Sequence, residues 1–171
     1  IVAGVAGGRR IDVPRSGTRP TSERVREALF GRLEHYGVVD GARVLDLCAG
    51  SGALGLEAAS RGATDVTLVD AARPAAQICQ ANTRALGLKG VRTVTAKVAT
   101  FLAGPAGAPV DLVLIDPPYD VDEDSLTRVL DLLLTHAWLA PEALVVVERL
   151  LVHVEPDQRA LRALHIGDLI H

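Results

Sequence analysis

The stretch VLDLCAGSGALG, residues 44–55, indicates how this chain folds. It opens with apolar residues typical of a strand buried on both faces. The small residues that follow let the backbone approach a ligand closely and let a helix start beside the sheet. Gly50, Gly52 and Gly55 have the spacing of a dinucleotide-binding turn, and Asp70 lies 20 residues after Gly50. An acidic residue at that distance, at the end of the next strand, accepts hydrogen bonds from ribose hydroxyls.

Strands alternate with helices along the rest of the chain. Apolar runs predict strands over 43–47, 65–69, 91–95, 110–115 and 143–147, and helical periodicity predicts helices over 22–35, 54–61, 74–86, 98–102 and 125–135. Repeated units of this kind predict an α/β fold with a mostly parallel, twisted sheet and helices on both faces. We expect a basic N-terminal arm or hairpin and helix over residues 1–35, folded into a single globular unit with residues 36–171.

Two of the predicted helices each have an apolar stripe that we expect to face the core. In the first helix, we expect Thr21 to be the N-cap and Val25, Leu29 and Leu33 to form the apolar stripe. In the third helix, Asn82 lies within an apolar stripe, and we expect its side chain to hydrogen-bond locally.

Composition and charge limit the class of protein. The net charge is −3, and Cys48 and Cys79 are isolated from each other and from any histidine cluster. No run approaches the roughly 20 apolar residues of a membrane span. We therefore expect a cytoplasmic protein with no membrane partner and no metal. The charge is uneven, because residues 1–35 hold seven arginines against four acidic residues and the remainder carries −6. A basic arm on an acidic body is suited to holding a phosphate backbone locally.

A second chemical signal is the sequence Asp-Pro-Pro-Tyr at residues 116–119, directly after a predicted strand. Consecutive prolines cannot extend a strand, because each lacks an amide donor and fixes φ at about −65°. The chain must therefore turn at the carboxyl edge of the sheet, where open α/β sheets bind their ligands. A carboxylate, proline carbonyls and an aromatic ring in a stiff turn suit a flat substrate that carries an NH₂ group.

Asp46 discriminates between the nucleotide-like ligands that a glycine-rich turn can bind. It stands four residues before Gly50, beside the space that the pyrophosphate of NAD would occupy. A negative charge there repels a pyrophosphate and attracts a cation. S-adenosylmethionine, which combines a ribose with a cationic sulfonium and an ammonium group, fits this pattern.

These motifs together resemble those of a known family. Residues 46–63, DLCAGSGALGLEAASRGA, resemble the first motif of the RsmD-type bacterial methyltransferases, which modify guanine N2 in small-subunit (16S) ribosomal RNA. Further similar segments are Gly7–Arg10, Thr18–Thr21, Arg24–Phe30, Asp116–Tyr119, and Trp138-Leu139 leading to Val147-Glu148. The resemblance covers nearly the whole chain up to Glu148.

The resemblance implies a Rossmann-like class I methyltransferase whose S-adenosylmethionine-dependent domain spans residues 36–171. It implies that S-adenosylhomocysteine is the product, and that a monomer acts on ribosomal RNA in an assembling or assembled small subunit. The residues expected to receive the target amine are Asp116, Pro117, Pro118 and Tyr119. Those expected to bind the cofactor are Asp46, Ala49, Gly50, Ser51, Gly52, Asp70, Ala71, Lys97 and Val98. Those expected to bind RNA are Arg9, Arg10, Arg19, Thr21 and Arg24.

The chemistry of the target explains the Asp-Pro-Pro-Tyr turn. The exocyclic amine of a base is a poor nucleophile, because its lone pair is delocalised into the ring. Two hydrogen bonds, accepted by the Asp116 carboxylate and a proline carbonyl, would aim that lone pair at the methyl group. Tyr119 would stack on the base.

Two alternatives remain open at this level. An adenine-N6 methyltransferase acting on DNA or RNA uses a similar turn, but it carries a large target-recognition domain that this chain lacks. An NAD-dependent oxidoreductase or a non-catalytic nucleotide-binding module would explain the glycines, but both Asp46 and the Asp-Pro-Pro-Tyr turn oppose it.

Overall fold

Helices and strands alternate as the apolar periodicity predicts. The computed structural model describes residues 1–14, 22–147, 150–154 and 161–165, the last two ranges as backbone only. The elements are α1 Glu23–His35, β1 Arg43–Leu47, α2 Ala53–Ser60, β2 Asp65–Asp70, α3 Arg73–Leu86, β3 Val91–Thr95, α4 Val98–Ala103, β4 Val110–Ile115, α5 Glu123–Thr135, β5 Leu139–Val147, β6 Leu150–Val154 and β7 Leu161–His165. Every predicted element is present, whereas β6 and β7 were not predicted. Of the described helices, none has the length and apolar character needed to cross a membrane.

The strands form one sheet in the order β3-β2-β1-β4-β5-β6-β7. The strands β1 to β5 pair in parallel, and β6 and β7 run antiparallel to their neighbours. This confirms the predicted α/β fold with a mostly parallel sheet. The order reverses between β1 and β4, because the chain moves outward through β2 and β3 before it returns. Such a reversal opens a crevice at the carboxyl ends of the central strands.

Apolar cores form on both faces of the sheet. Successive strand residues point to opposite faces, so β1 contributes Val44 to one core and Leu45 to the other. The first core includes Phe30 of α1 together with residues of α2 and α3, and the second includes Leu102 of α4 and Leu133 of α5. Helices therefore cover both faces, as predicted. Residues of the N-terminal arm and α1 belong to the first core, which they share with the central strands.

The buried face of α1 differs from the predicted one. Val25 is 42% exposed, whereas Arg26, Leu29, Phe30 and Leu33 are buried. The predicted stripe took every fourth residue, which drifts around the helix because four residues exceed one turn. Spacings of three, one and three residues keep the observed set on a single stripe. The pattern was misread because one member of the true stripe is an arginine.

The start of α1 and the arm before it also differ in detail from the prediction. The N-cap is Ser22 rather than Thr21, since Ser22 Oγ accepts a hydrogen bond from the Val25 amide at 3.3 Å. Thr21 itself lies outside the described residues. Residues 1–14 form an arm made of turns and irregular backbone rather than a hairpin. The amides of Val2, Ala3 and Ala6 donate to side chains of α2 instead of to a second strand.

Gly55 marks the place where α2 lies closest to the sheet. A Cβ at this position would overlap Leu68 Cδ2 and lie 3.1 Å from Asp46 Cβ. Leu68 is fully buried, so it cannot move aside without disturbing the first core. We predict that Gly55→Ala lowers the free energy of unfolding by about 1–3 kcal/mol through overpacking. Urea denaturation monitored by circular dichroism measures this change.

Gly31→Ala is the matched control for that substitution. Gly31 also lies inside a helix, and a Cβ there would meet nothing within 4 Å. This substitution should raise the free energy of unfolding by about 0.5–1 kcal/mol, because alanine has the higher helix propensity. Equal effects of the two substitutions would contradict the close packing at Gly55.

Candidate active site

Three acidic side chains meet at the carboxyl edge of the central strands. Asp46 lies in β1, Asp70 ends β2, and Asp116 directly follows β4. These strands are paired in parallel register up to their last residues, and neighbouring strands lie about 4.8 Å apart. The sequence-predicted cofactor and substrate acids are therefore brought together at the crevice where the strand order reverses.

The glycine loop, residues 48–52, turns sharply between β1 and α2. Cys48, Gly50 and Gly52 have positive φ values of 65°, 59° and 82°. Glycine adopts this conformation readily, whereas Cys48 must be held in it by its surroundings. A Cβ at Gly50 would meet nothing within 4 Å, which leaves open space beside the turn, whereas a Cβ at Gly52 would lie 3.1 Å from Leu56 Cδ1 and 3.2 Å from Leu68 Cδ1 in the core.

Asp70 holds the glycine loop as well as facing the crevice. Its Oδ2 accepts a hydrogen bond from the Gly50 amide at 2.8 Å, and its Oδ1 accepts one from the Ala72 amide at 2.8 Å. Each carboxylate oxygen keeps further acceptor capacity, so a ribose hydroxyl can still be bound. The sequence predicted only the ribose contact and did not indicate this second role.

Asp46 is a buried carboxylate with one unsatisfied oxygen. It is 1% exposed, and its Oδ2 accepts a hydrogen bond from the Gly55 amide at 2.8 Å. Within the described part of the chain, Oδ1 has no hydrogen-bond partner. The pKa of Asp46 is raised to about 7, mainly by burial and also by the nearby Asp116 and Asp70, against the lowering effect of the Gly55 amide. A cationic ligand would relieve both the missing contact and the repulsion among the three acids.

The Asp-Pro-Pro-Tyr turn presents its aromatic ring to solvent. Asp116 and Pro117 are partly buried, whereas Tyr119 is 80% exposed. The Val121 amide donates to the Pro118 carbonyl at 3.1 Å. Among the described hydrogen bonds, none uses the Pro117 carbonyl, so of the two proline carbonyls it is the less engaged acceptor.

The remaining predicted cofactor residues line the ends of β2 and β3. Ala71 follows Asp70 and is exposed, and Lys97 is the exposed residue before α4. The Ala96 amide donates to the Asp70 carbonyl at 3.0 Å, which brings the start of α4 and the partly buried Val98 beside the end of β2. Binding of an adenine ring on this side of the crevice stays a prediction.

Two residues of α3 hold the glycine loop, and sequence reasoning missed both. Cys79 Sγ donates to the Gly50 carbonyl at 3.1 Å, and Asn82 Nδ2 donates to the Ser51 carbonyl at 2.9 Å. The prediction that Asn82 bonds locally is therefore wrong. Its partners lie 31 and 70 residues away in sequence, so periodicity within α3 carries no sign of them beyond a polar residue in an apolar stripe.

Neither cysteine is suited to act as a nucleophile. Burial raises the pKa of Cys48 to about 12, with further contributions from Asp70, Asp46 and Asp116. Burial likewise raises the pKa of Cys79 to about 12, with contributions from Asp46 and Asp70. Both thiols are protonated near neutral pH, and a protonated thiol is a poor nucleophile and metal ligand. Within the described residues, no group of three or more His, Cys, Asp or Glu side chains is arranged to hold a metal ion.

The arginines predicted to bind RNA fall into different environments. Arg10 and Arg24 are exposed. The Arg9 guanidinium donates to the carbonyls of Ala85 and Leu86, where it caps the C-terminal end of α3. Arg19 and Thr21 lie outside the described residues. Contact of any of them with RNA stays a prediction.

The family can be assigned from the whole chain. The family model described as Conserved hypothetical protein 95 matches residues 1–165. Ribosomal RNA small subunit methyltransferase D of Escherichia coli K12 is 41% identical over 166 residues, which cover 96% of this chain and 81% of that protein. The protein of the same name from Haemophilus influenzae is 36% identical over 152 residues, covering 86% of this chain and 77% of that protein. This chain belongs to the RsmD family.

Solved structures of similar proteins share the fold of this RsmD family member. The yhhF protein of Escherichia coli is 40% identical and aligns with a TM-score of 0.77, covering 86% of this chain and 78% of that one. The 16S rRNA N2 methyltransferase RsmC of Thermus thermophilus, in complex with AdoMet and guanosine, is 29% identical with a TM-score of 0.60. That alignment covers 77% of this chain and 34% of the RsmC chain. The Rossmann-like class I methyltransferase fold implied by the sequence motifs is confirmed.

Asp46→Asn tests the buried charge of this site. The pKa of Asp46 is about 7 in the folded protein against an ordinary value of 3.8, so the folded state binds the proton more tightly than the unfolded state. Asp46 therefore lowers the stability of the wild type progressively as pH rises from about 4 to 7. An asparagine keeps an oxygen for the Gly55 amide but carries no charge. We predict that Asp46→Asn is more stable than the wild type at pH 8, by at most about 4 kcal/mol.

The pH dependence separates this effect from a change in packing. The stability difference between Asp46→Asn and wild type should shrink towards zero as pH falls to about 4. Urea denaturation of both proteins between pH 4 and pH 8 measures it. A difference that stays constant over this range would show that Asp46 is already ionised at low pH in the folded protein.

Proposed function

We propose that this RsmD-family protein transfers a methyl group from S-adenosylmethionine to the N2 amine of a guanine in 16S ribosomal RNA. The observation that carries the proposal is the buried, partly unsatisfied carboxylate of Asp46, which shares one crevice with the Asp-Pro-Pro-Tyr turn. Two comparisons support it. The 41% identical relative is named for a small-subunit ribosomal RNA methyltransferase, and the RsmC structure holds AdoMet and guanosine.

The crevice has a residue for each part of S-adenosylmethionine. Asp46 would face the cationic end, where the sulfonium and ammonium groups offset the buried negative charge. Asp70 would accept from the ribose hydroxyls with the lone pairs that the loop amides leave, and Ala71, Lys97 and Val98 would flank the adenine. The glycine loop would pass beneath the ligand, because a side chain is absent at Gly50, where the space beside the backbone is open. When bound, S-adenosylmethionine supplies an electrophilic methyl group.

The target amine would be held by two acceptors in the turn. The Asp116 carboxylate and the Pro117 carbonyl each accept one N–H of the amine, which directs the nitrogen lone pair away from both acceptors and towards the cofactor side of the crevice. The exposed ring of Tyr119 stacks on the guanine, a contact worth about 1–3 kcal/mol. The amine loses its proton readily once the nitrogen becomes cationic, so the site requires orientation more than a strong base.

The charge distribution of the chain supports RNA as the substrate class. The exposed Arg10 and Arg24 lie in the positively biased part of the sequence, so we propose that the arm and α1 hold the phosphate backbone. A guanine inside a stem would have to be turned out of the stack to reach Asp116. The RNA would be reached in the cytoplasm, within an assembling or assembled small subunit.

Asp116→Ala tests the proposed function directly. Loss of one amine acceptor should reduce methyl transfer to 16S RNA by about 100-fold or more, because the amine is no longer oriented. The dissociation constant for S-adenosylmethionine should stay within a few-fold of the wild-type value. Transfer of labelled methyl groups to RNA and calorimetric titration of the cofactor measure the two quantities.

Asp124→Ala is the matched control, because Asp124 is an exposed acid in the first turn of α5, eight residues further on. It should retain wild-type transfer. Full activity in Asp116→Ala would remove Asp116 from the mechanism. Mass spectrometry of the RNA product identifies the methylated position. N6-methyladenine would favour the adenine alternative, and binding of NAD in place of S-adenosylmethionine would favour an oxidoreductase.

Arg10→Ala combined with Arg24→Ala tests the RNA-binding surface. Each lost phosphate contact should lower the slope of log K against log salt by about 0.7–0.9 and weaken RNA binding. Arg9 is left intact because its guanidinium caps α3. The control is Arg128→Ala, an exposed arginine of α5, which packs on the opposite face of the sheet. An unchanged slope of log K against log salt in the double variant would show that RNA binds elsewhere on the molecule.

A further inference from the structure

Asn82 joins the N-terminal arm to the glycine loop through one buried side chain. It is 3% exposed, and its Nδ2 donates to the carbonyls of both Ser51 and Asp12 at 2.9 Å. Its Oδ1 accepts a hydrogen bond from the Asp12 amide at 2.8 Å. Both donors and the acceptor of the amide group are therefore used, and they fix the side chain in one orientation.

On its loop side, Asn82 works beside other anchors of the same turn. Cys79 lies one helical turn earlier in α3 and donates to the Gly50 carbonyl, while Asp70 accepts from the Gly50 amide on the β2 side. Among the described hydrogen bonds, that of the Cys79 side chain to another element joins the loop, whereas those of Asn82 join both the loop and the arm. A shift of Asp12 would therefore be transmitted through Asn82 to the Ser51 carbonyl.

On its arm side, the position of Asp12 depends on how the arm is docked. Arg9 lies three residues before Asp12, and its guanidinium donates to the Leu86 carbonyl at 3.0 Å and to the Ala85 carbonyl. Arg9 makes these contacts at the far end of α3, away from the glycine loop. The described hydrogen bonds connect the arm that carries Arg9 to the loop by way of Asp12 and Asn82.

We propose that Asn82 is a positioning residue that couples docking of the arm to the conformation of the glycine loop. A docked arm favours the loop conformation that binds the cofactor, and bound cofactor in turn stabilises the docked arm. The inference rests on the proposed function, because the cofactor is the ligand assumed for the loop. Coupling of this kind is reciprocal, so either partner can report it.

A double-mutant cycle on cofactor affinity tests the coupling. The dissociation constant for S-adenosylmethionine is measured by calorimetry, without RNA, for wild type, Arg9→Ala, Asn82→Ala and the double variant. Asn82→Ala should raise it about 3- to 10-fold, as expected for one hydrogen bond that orients the loop. Arg9→Ala should raise it several-fold in the wild-type background and leave it unchanged in the Asn82→Ala background, because the link is already cut.

Cys79→Ala provides the matched background. It removes a different contact between α3 and the same loop and leaves the contact with the arm intact. Arg9→Ala should therefore still raise the dissociation constant in the Cys79→Ala background. If Asn82→Ala does not fold, Asn82→Asp serves in its place, since it keeps the volume and the oxygen that faces the Asp12 amide while losing the donor to Ser51.

Hydrogen exchange supplies an independent readout. Addition of S-adenosylmethionine should slow amide exchange in the peptide covering residues 8–14 in the wild type and in Cys79→Ala, but not in Asn82→Ala. A strictly additive cycle, or equal protection of this peptide in all three proteins, would overturn the coupling and leave Asn82 with a structural role. A wild type that binds no S-adenosylmethionine would overturn the proposed function and this inference together, so the two failures are distinguishable.

Discussion

The hydrogen bond between the Gly55 amide and Asp46 Oδ2 is the contact on which the rest of the crevice depends. It joins the carboxyl end of β1 to the first turn of α2 at 2.8 Å. The absence of a side chain at Gly55 lets the helix come this close to the sheet. This contact holds the segments on either side of the glycine loop together. The five residues of the loop therefore turn sharply, with positive φ at three positions. A buried carboxylate thus shapes the loop that lies beside it.

The geometry gives Asp46 a structural and an electrostatic role at once. One oxygen is used by the fold, and the other is left at the edge of the crevice next to two further carboxylates. A fold that buries an acid in this way is less stable than one that does not, unless a cation occupies the crevice. Functional sites commonly retain such destabilising groups, because a bound ligand offsets their unfavourable free energy.

Much of the fold and of the site could be read from local sequence patterns. Buried strands and the turns after them depend on residues adjacent in sequence, so β1, β3 and β4 have the predicted bounds. Contacts between residues distant in sequence are indicated only weakly by the sequence. Arg26 is buried in the apolar stripe of α1, and Arg9 donates to carbonyls more than 70 residues away in sequence. Neither role can be predicted from the adjacent residues in the chain. The strands β6 and β7 lie beyond Glu148, where the recognised motifs end, although the match to the family model extends to residue 165.

The sequence by itself determined the alternation of strands and helices, the glycine loop, and the acids at the ends of β1, β2 and β4. Each of these depends on side-chain period, backbone conformation or a proline, which are properties of a few consecutive residues. Only the tertiary structure decided which carboxylate oxygens are satisfied, which arginines remain exposed, and that Asn82 connects the arm to the loop. Those properties depend on partners brought together by the sheet order, and no local pattern specifies a partner tens of residues away.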